Sequence, residues 1–437
     1  MTKKTRRGLF IIAVIAFVAI SFVLIMYARG YRWDFDKNKF LLAGAIYIEP
    51  IYPPDTEIYI NNKSTDKLSA SLIKNLLPLR KYQIKIAKAG YQDWTKNFEI
   101  TPGLVVEAKS VVLFPQDLKT SVIWPNAGLA DFTVSPNQEI IAAKTIDQKM
   151  VINTISENNF AALTNINFPD KRKTLGLDFI KNGRGWSANS KELLFSRNIF
   201  LNGRTQKIWY VWRKEPNLLI QLNDLYEKEI LLKNPSATPL PKKFETDKIV
   251  WLNNDSVISK IGRQLFQLDL KNKTITDLNL SDIVDFDVTE NRIIALKNPD
   301  ILLSLDSSVQ NVAALGQAKF VPENILIAPD ASKAVYFNKN SAGIIWLKDS
   351  PEQPLRQNSE QEIIFENKNI ASPYWHNSNE YLMFIFDGKL NVVELDTRGQ
   401  KNIHTWPETI NAIDYLVNDS KLFILSDGTL KSVDDKF

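Results

Sequence analysis

The longest apolar stretch of the chain runs from Gly8 to Tyr27, twenty residues without a charged side chain. A helix of that length spans about 30 Å, the thickness of the hydrocarbon core of a bilayer. Other conformations would leave backbone amides unpaired in lipid, which is too costly. Basic residues precede the run, and Tyr31 and Trp33 follow it as interfacial aromatics. The pattern predicts a transmembrane helix over residues 8–27, with the lipid bilayer as its partner.

A cleaved signal peptide is the alternative interpretation of this run. Its apolar region would be about 7–15 residues long and would end in a small-x-small cleavage site. The sequence Met26-Tyr27-Ala28-Arg29 does not supply such a site. Basic residues lie on both sides of the run, so charge favours a cytoplasmic N-terminus only mildly. We expect an uncleaved anchor with a cytoplasmic tail over 1–7, and the bulk of the chain extracytoplasmic in a single-pass cell-membrane protein.

After a juxtamembrane linker over 28–44, apolar and polar residues alternate with the period of two that is typical of half-buried strands. The alternation runs from Ala45 to Glu49 and again from Glu57 to Ile60, where Asn61-Asn62 indicates a turn. It resumes at Tyr82–Ile86, and Val105–Phe114 is expected to be a final strand. Short strands with closely spaced turns predict a small β-sandwich over 45–115.

This region resembles the PEGA domain, a β module of surface and envelope proteins. The resemblance is carried by the strands GAIYIEP and PPDTEIYINN, by Lys88-Ala89-Gly90-Tyr91, and by FEITPG. Two turns depart from the family pattern: Pro54-Asp55-Thr56 lacks the namesake glycine, and Leu77-Pro78-Leu79-Arg80 replaces Leu-x-Pro-Gly. The resemblance implies no catalytic residues, and it implies an interaction or spacer role at the cell surface.

A cassette recurs in residues 116–437, made of an apolar strand, a polar turn and a second apolar strand. ADFTVSPNQEIIAAK from Ala130 and VDFDVTENRIIALK from Val284 are nearly superimposable. We call the residue before each turn the pre-turn residue, and successive pre-turn residues are separated by 52, 65, 37, 39, 48 and 40 positions. The seven pre-turn residues are Val134, Trp186, Trp251, Val288, Ile327, Trp375 and Tyr415.

Repeats of about 40–50 residues are the size of a four-stranded propeller blade. Seven cassettes predict seven blades, with six as the alternative and an irregular sandwich as the competing fold. Asp387-Gly388 and Asp427-Gly428 predict type I′ hairpin turns. The chain ends too soon after Tyr415 to complete a blade, so Ser121–Trp124 is expected to close the ring and remove the open sheet edges. The cassette turn resembles the Ser-Pro-Asp-Gly-Lys signature of TolB-like and WD-type propellers. The predicted fold class is mainly β, with an N-terminal transmembrane helix followed by a small β-sandwich and then a β-propeller.

The charge of the chain belongs to its membrane flanks. The formal net charge is +5, and six basic residues with no acid precede Asp34. Removing these six leaves −1 for residues 34–437, which argues against nucleic acid as a partner. The chain contains no cysteine, which excludes disulfides and thiolate sites.

Motifs for enzymatic chemistry are missing from the sequence. There is no Gly-x-Ser-x-Gly elbow, phosphate loop or calcium loop. His376 and His404 are the two histidines, and we expect His376 to be a solvated turn residue. The sequence does not exclude a pair of catalytic carboxylates like that of glycosidases, because it gives no distances between acids. The sequence thus predicts no catalytic, cofactor-binding or metal site and no cofactor.

Two repeated residue types have both a structural and a functional interpretation. Asp131, Asp285 and Asp414 lie just before their cassette turns, where hydrogen bonds between blades are the favoured role and catalysis the alternative. Trp186, Trp251 and Trp375 are expected to be wedges between blades, with sugar stacking as the alternative.

The function predicted is a non-enzymatic, anchored envelope protein that presents a PEGA-like module and a propeller to a protein or a cell-wall glycan. The alternative is a carboxylate-based glycan-cleaving enzyme in the propeller channel. The proline-rich insertion from Lys214 to Lys243 is a candidate contact surface, with a surface loop as the other interpretation.

Overall fold

The computed structural model describes residues 3–49, 52–65, 71–108, 110–125, 128–155, 162–166, 168, 173–181, 184–201, 203–215, 218–222, 246–272, 274–289, 292–306, 311–349, 356–365, 373–396 and 398–434. Contacts divide the chain into two compact units. The first contains Met1–Gln116 and two short later segments, and the second contains most of Asp117–Phe437. The domain limits set from the sequence stay predictions, because contact-based units are not a test of independent folding.

The first unit begins with a single helix, α1 (Lys3–Ala28), in which Thr5–Ala28 is long and apolar enough to cross a membrane. A two-stranded antiparallel hairpin follows, made of β1 (Tyr31–Asp34) and β2 (Lys39–Leu42). We call Tyr31–Leu42 the juxtamembrane hairpin.

Two sheets form the rest of the first unit. One has the order β6-β3-β9 and the other β5-β4-β7-β8. Isoleucines and aromatics of both sheets share one buried core that includes Ile46, Ile86, Trp94 and Phe98, which makes this part a β-sandwich. The strands are β3 (Gly44–Ile48), β4 (Glu57–Ile60), β5 (Lys63–Ser64), β6 (Ser71–Leu76), β7 (Lys81–Ala87), β8 (Trp94–Glu99) and β9 (Val105–Ala108).

The turns of the sandwich agree with the sequence more closely than its last strand does. Asn61 and Asn62 both have positive φ, as a tight hairpin turn requires. The expected strand Val105–Phe114 is wrong in its length, because β9 ends at Ala108. Beyond it, Val112 forms only an isolated bridge to Tyr52.

The second unit contains seven four-stranded sheets within the described residues. Each sheet is antiparallel and, apart from the last, is built from four consecutive strands. Blade 1 consists of β11 (Leu129–Val134), β12 (Ile140–Thr145), β13 (Met150–Thr154) and β14 (Ala162–Asn165), and blade 2 of β15 (Thr174–Phe179), β16 (Glu192–Leu201), β17 (Arg204–Arg213) and β18 (Leu218–Gln221). Blade 3 consists of β19 (Thr246–Trp251), β20 (Ser256–Ile261), β21 (Gln264–Asp269) and β22 (Thr274–Asp277), and blade 4 of β23 (Ile283–Thr289), β24 (Arg292–Lys297), β25 (Ile301–Asp306) and β26 (Val312–Gln317). Blade 5 consists of β27 (Asn324–Ile327), β28 (Lys333–Phe337), β29 (Ala342–Trp346) and β30 (Gln361–Phe365), and blade 6 of β31 (Tyr374–Trp375), β32 (Tyr381–Phe386), β33 (Lys389–Glu394) and β34 (Ile403–Thr405).

The seventh blade confirms the predicted ring closure. It contains β35 (Ala412–Leu416), β36 (Lys421–Ser426) and β37 (Thr429–Val433), and its outer strand is β10 (Thr120–Trp124), which pairs with β37. A short 3-10 turn, Val417–Asp419, lies between the first two of these strands. The first and last parts of the unit are therefore hydrogen-bonded in one sheet, so the ring has no open edge. Each of the seven cassettes falls in a different blade, and the prediction of seven blades is confirmed.

Apolar clusters between blades hold the ring together. Within the described residues, six clusters each combine side chains of two successive blades, including the pair formed by blades 7 and 1. The hairpin turns are as expected: Asp387, Gly388, Asp427 and Gly428 all have φ between 49° and 70°. A type I′ turn requires positive φ at both central residues.

Candidate functional site

The pre-turn residues are all buried, the most exposed being Trp251 at 9%. Where the pre-turn residue is tryptophan, its indole N–H donates to the blade before it. Trp186 Nε1 donates to Thr133 Oγ1 (3.3 Å), and Trp375 Nε1 donates to the carbonyl of Leu326 (3.2 Å). Trp251 Nε1 donates to the carbonyl of Gly185 (3.0 Å). The tryptophans are therefore wedges between blades, and the structural interpretation of them is confirmed.

Each of those acceptors is the residue immediately before a pre-turn residue, which we call the penultimate position. Two blades have aspartate there. Asp287 accepts the backbone N–H of Ile327 (2.6 Å), and Asp414 accepts that of Val134 (2.9 Å). In both cases the donor is the pre-turn residue of the next blade around the ring. Asp287 is therefore the positional counterpart of Asp414. The sequence prediction named Asp285 instead, because the segment Val284–Val288 contains both aspartates and its pattern does not distinguish them.

Asp131 and Asp285 occupy equivalent positions in their own cassettes, each three residues before the pre-turn residue. Asp414 lies one residue before its pre-turn residue. Lys181 donates to Asp131 and to the carbonyl of Phe132. Lys248 donates to both oxygens of Asp285 (2.8 and 3.1 Å), which also accepts the N–H of Ile325 (2.9 Å). The expected similar placement of Asp131, Asp285 and Asp414 is thus corrected for Asp414. All three carboxylates hydrogen-bond between blades.

A pocket of about 710 Å³ lies where the cassette turns of blades 1 to 4 come together. Its volume is within the ~300–1,000 Å³ range of small-ligand sites. Because residues of blade 1 and blade 4 line the same pocket, it lies in the middle of the ring. In the part of the lining that the structure describes there is no Asp or Glu. The lining residues are Pro136, Arg184, Trp186, Ser187, Ala188, Val250, Trp251, Leu252, Asn253, Asn254, Gln267, Val288 and Thr289.

Arg184 is the charged residue of this lining. It follows the first strand of blade 2, yet its Nη1 donates to Asp287 in blade 4 and its Nη2 to the carbonyl of Ile327 in blade 5 (2.6 Å). Its side chain is 19% exposed. Burial lowers the pKa of Arg184 to about 10, so the guanidinium remains charged at neutral pH. This partly exposed cation is held by one carboxylate and links blade 2 to blades 4 and 5 at the pocket.

The two histidines differ from the sequence expectation. His376 is 2% exposed, and its ring stacks on Tyr415 with centroids 5.8 Å apart. The prediction of a solvated His376 is wrong, because the turn after Trp375 lies between blades 6 and 7 and is covered by both. His404 is also buried, and burial lowers its pKa to about 4. Neither side chain lies in the pocket lining.

Other expected sites are only partly within the described residues. No group of three or more His, Cys, Asp or Glu side chains among these residues is arranged to hold a metal ion. At the start of the predicted insertion, Lys214 Nζ lies 3.1 Å from Glu139 Oε2. Pro216, Pro235, Pro239 and Pro241 lie outside the described residues, as does the rest of the insertion beyond Leu222.

No protein-family model matches the chain, and no curated protein is similar to it in sequence. Solved structures do resemble it. The β-propeller domain of Cps50 (Swd1) from Myceliophteria thermophila is 10% identical, with a TM-score of 0.48 over 73% of this chain and 99% of that one. KlHsv2 with loop 6CD replaced by a Gly-Ser linker is 9% identical, with a TM-score of 0.40 over 68% and 88%. The propeller assignment therefore rests on the seven sheets of the chain itself.

Proposed function

We propose that this protein is a non-enzymatic, single-pass protein of the cell envelope that uses the propeller pocket to bind a protein or a cell-wall glycan. The observation that carries the proposal is the chemistry of the pocket. Apart from the Arg184 guanidinium, which is paired with Asp287, its side-chain polar groups include the amides and hydroxyls of Asn253, Asn254, Gln267, Ser187 and Thr289. Such groups recognise peptide bonds or sugar hydroxyls by hydrogen bonding and do not transfer protons readily at neutral pH.

The competing function, glycan cleavage by two carboxylates, needs a pair of acids about 5–9.5 Å apart beside the bound sugar. Among the described residues that line the pocket there is no acid, and Asp131, Asp285 and Asp414 are engaged in contacts between blades. No observation on the described residues favours that alternative, so we propose the binding function alone.

Membrane anchoring is the second part of the proposal. Thr5–Ala28 has the length and composition of a membrane span, and most of its side chains are exposed in the protein itself. We place the N-terminus in the cytoplasm, and the chain that follows α1 outside it. The sandwich is proposed to be a PEGA-like spacer. In support, Asp55 has φ +59° in the turn where the family resemblance would place glycine.

The pocket is tested by site-specific photo-crosslinking in intact cells. A photoreactive amino acid replaces Asn254, which is exposed in the pocket, and the matched control replaces Val312, which is 51% exposed on the outer strand of blade 4. We expect one defined protein or wall fragment to be attached at Asn254 and not at Val312. Identical products at both positions, or no product at Asn254, would contradict the proposal.

Orientation is tested separately by thiol labelling, which the cysteine-free chain makes straightforward. The variants Lys4→Cys and Ser121→Cys place single thiols before the span and in the second unit. An impermeant maleimide added to intact cells should label Ser121→Cys only. Labelling of Lys4→Cys alone would show that the N-terminus is outside, the opposite of the proposed orientation.

A further inference from the structure

The juxtamembrane hairpin has one aromatic face and one charged face. Cross-strand pairing joins Tyr31 to Leu42 and Trp33 to Phe40 on one face. The rings of Trp33 and Phe40 meet edge to face with centroids 4.9 Å apart. Since side chains alternate along a strand, the pairs Arg32–Leu41 and Asp34–Lys39 belong to the opposite face, which is charged at three of its four positions. The hairpin is amphipathic although it has only four residues in each strand.

The aromatic face of the hairpin lies against α1. Phe40 meets Phe22 of α1 edge to face, with ring centroids 6.4 Å apart. Phe22 is six residues before Ala28, where α1 ends, which is about 9 Å along the helix axis. Arg32 strengthens the junction, because its guanidinium lies 4.5 Å from the ring centroid of Tyr27 and Nη1 donates to the carbonyl of Tyr27 (2.9 Å). The hairpin is therefore held beside the end of the span.

The tip of the hairpin carries a large apolar side chain directed away from the protein. Phe35 is 84% exposed, the largest exposed fraction among the exposed large hydrophobic residues described. The sandwich orients the tip, because Arg80 forms ion pairs with both Asp34 and Asp36. Asp34 Oδ1 also accepts the N–H of Asp36 (3.0 Å). Arg80 thus pairs with both acids of the hairpin and offsets one of their two negative charges.

In the part of the chain that the structure describes, the basic residues at the tip of the hairpin and at its α1 end have no acidic partners. Within the described residues, no ion pair is formed by Arg29, Arg32, Lys37 or Lys39. Together with Arg80 they exceed the two acids by three positive charges. An aromatic side chain among basic residues at the end of a span matches the boundary between acyl chains and anionic headgroups.

We propose that the juxtamembrane hairpin is a second membrane-contacting element, in which Phe35 enters the bilayer interface and Lys37 and Lys39 bind anionic phospholipid headgroups. The occupant of this surface is the leaflet that α1 leaves, since the hairpin is already tied to α1 through Phe22. This inference rests on the proposed membrane anchor. It adds that lipid composition controls whether the hairpin lies in the bilayer interface.

The test uses the full chain with one introduced cysteine carrying a nitroxide label, reconstituted in phosphatidylcholine vesicles with or without phosphatidylglycerol. The labelled positions are Phe35→Cys and, as the matched control, Ala89→Cys. Ala89 is exposed and follows β7 at the end opposite Arg80, about 23 Å along the strand. Collision rates with oxygen, which dissolves in lipid, and with a water-soluble nickel chelate report immersion.

We expect the Phe35→Cys label to favour oxygen over nickel several-fold more than the Ala89→Cys label, and only when phosphatidylglycerol is present. Adding Lys37→Gln and Lys39→Gln should lower the ratio of immersed to free hairpin about 25-fold, because each lysine contributes about five-fold to binding an anionic surface. Removing the same charge at Lys63 and Lys88 of the sandwich should leave the ratio unchanged.

The possible failures are distinguishable. If alkaline carbonate extracts the chain from vesicles, the anchor is wrong and the hairpin proposal fails with it. If the chain resists extraction but the labels at positions 35 and 89 behave alike with phosphatidylglycerol, the hairpin proposal alone is overturned. Equal immersion with and without phosphatidylglycerol would overturn the binding of anionic headgroups.

Discussion

Neighbouring blades are joined at the same cassette position by different chemistry. Between blades 5 and 6, and in the two tryptophan junctions between blades 1, 2 and 3, an indole N–H donates to the previous blade. Between blades 4 and 5 and between blades 7 and 1, the pre-turn residue is aliphatic, and its backbone N–H donates to an aspartate. A buried N–H must have an acceptor. At these five junctions the cassette meets that requirement in one of two ways.

The two solutions differ in what a blade must supply. A tryptophan junction needs only a carbonyl or hydroxyl from the preceding blade, and the indole also fills the space between sheets. An aspartate junction takes a carboxylate out of water, which is favourable only where several donors surround it. Asp287 meets this condition with Arg184 and Ile327, and Asp414 with Thr133 and Val134. The aspartate junctions should therefore be the more sensitive to substitution.

The largest effect is expected for Asp414→Ala at the junction that closes the ring. Asp414 is 0% exposed, and it accepts from both Thr133 Oγ1 and Val134 N at 2.9 Å. Losing two charge-assisted bonds and leaving a buried N–H without an acceptor should lower the free energy of unfolding by about 3–5 kcal/mol. Eight of the ten tryptophans belong to the second unit, so urea unfolding of the full chain in detergent, followed by tryptophan fluorescence, reports on it.

The exposed residue Asp117 supplies the control for that measurement. Asp117→Ala should change the free energy of unfolding by less than about 0.5 kcal/mol. An Asp414→Ala effect as small as this would mean that water or a rearranged neighbour replaces the carboxylate, and the distinction between the two kinds of junction would lose its energetic meaning.

The junction between blades 6 and 7 uses a third group, a phenol, and gives a pH dependence. Tyr374 donates its hydroxyl proton to the carbonyl of Ile413 (2.7 Å). Burial, with the charges of Asp414 and Asp131, raises the pKa of Tyr374 well above 10. Above pH 10 the unfolded chain loses this proton and the folded chain keeps it, so stability falls as pH rises, by about 1.4 kcal/mol per pH unit.

The variant Tyr374→Phe lacks this titration. Other buried tyrosines titrate in both proteins, so the relevant quantity is the difference between them. Wild type should be the more stable at pH 8, and its advantage should shrink between pH 10 and 12. A difference that stays constant over this range would show that Tyr374 ionises equally in the folded and unfolded chains.

A smaller effect is expected at a tryptophan junction. Trp375→Phe removes the indole donor to Leu326 and leaves a smaller ring in the apolar cluster of blades 5 and 6. Trp346 lies in the same cluster, and no indole hydrogen bond is described for it. Trp346→Phe costs packing and part of the contact with the Arg356 guanidinium, which lies 4.8 Å from its ring centroid, but no indole hydrogen bond. We therefore expect Trp375→Phe to be more destabilising than Trp346→Phe by about 0.5–1.5 kcal/mol. Equal losses in urea unfolding would mean that the indole bond contributes nothing net.

The sequence predicts the repeating parts of this molecule well and the crossing contacts poorly. Period-two alternation, Asp-Gly turns and the spacing of the pre-turn residues are local signals, and they locate all seven blades. The strand from Thr120 to Trp124 could be predicted because a ring cannot be left open. These features depend on backbone geometry that nearby residues determine.

The pocket depends on contacts between distant residues. Arg184 reaches Asp287 across 103 positions, and nothing in either cassette indicates that the two meet. His376 looks solvated in sequence because its turn is polar, but the packing of blades 6 and 7 buries it. The role of the penultimate position as hydrogen-bond acceptor could not be predicted from the sequence, since Thr133, Gly185, Leu326 and Asp287 share no side-chain property.

The smallest effect concerns the cassette turn that follows each junction. The signature Ser-Pro-Asp-Gly-Lys has glycine where this chain has Gln138, Ser190, Ala331 and Asn379, and these residues nonetheless have φ between 53° and 58°. A left-handed conformation costs a non-glycine residue about 1–2 kcal/mol, and part of this is regained because glycine is more flexible when unfolded. Ala331→Gly should therefore raise the free energy of unfolding by about 0.5–1 kcal/mol.

The comparison for this variant is Ala334→Gly, three residues later in β28. Ala334 is fully buried within a regular strand, so glycine there should destabilise the protein by about 0.5–1 kcal/mol or more. If Ala331→Gly raises the free energy of unfolding and Ala334→Gly lowers it, the left-handed residue of the turn is strained and the neighbouring strand is not. A loss at both positions would mean that the methyl group of Ala331, which packs against the cluster of blades 4 and 5, outweighs its backbone strain.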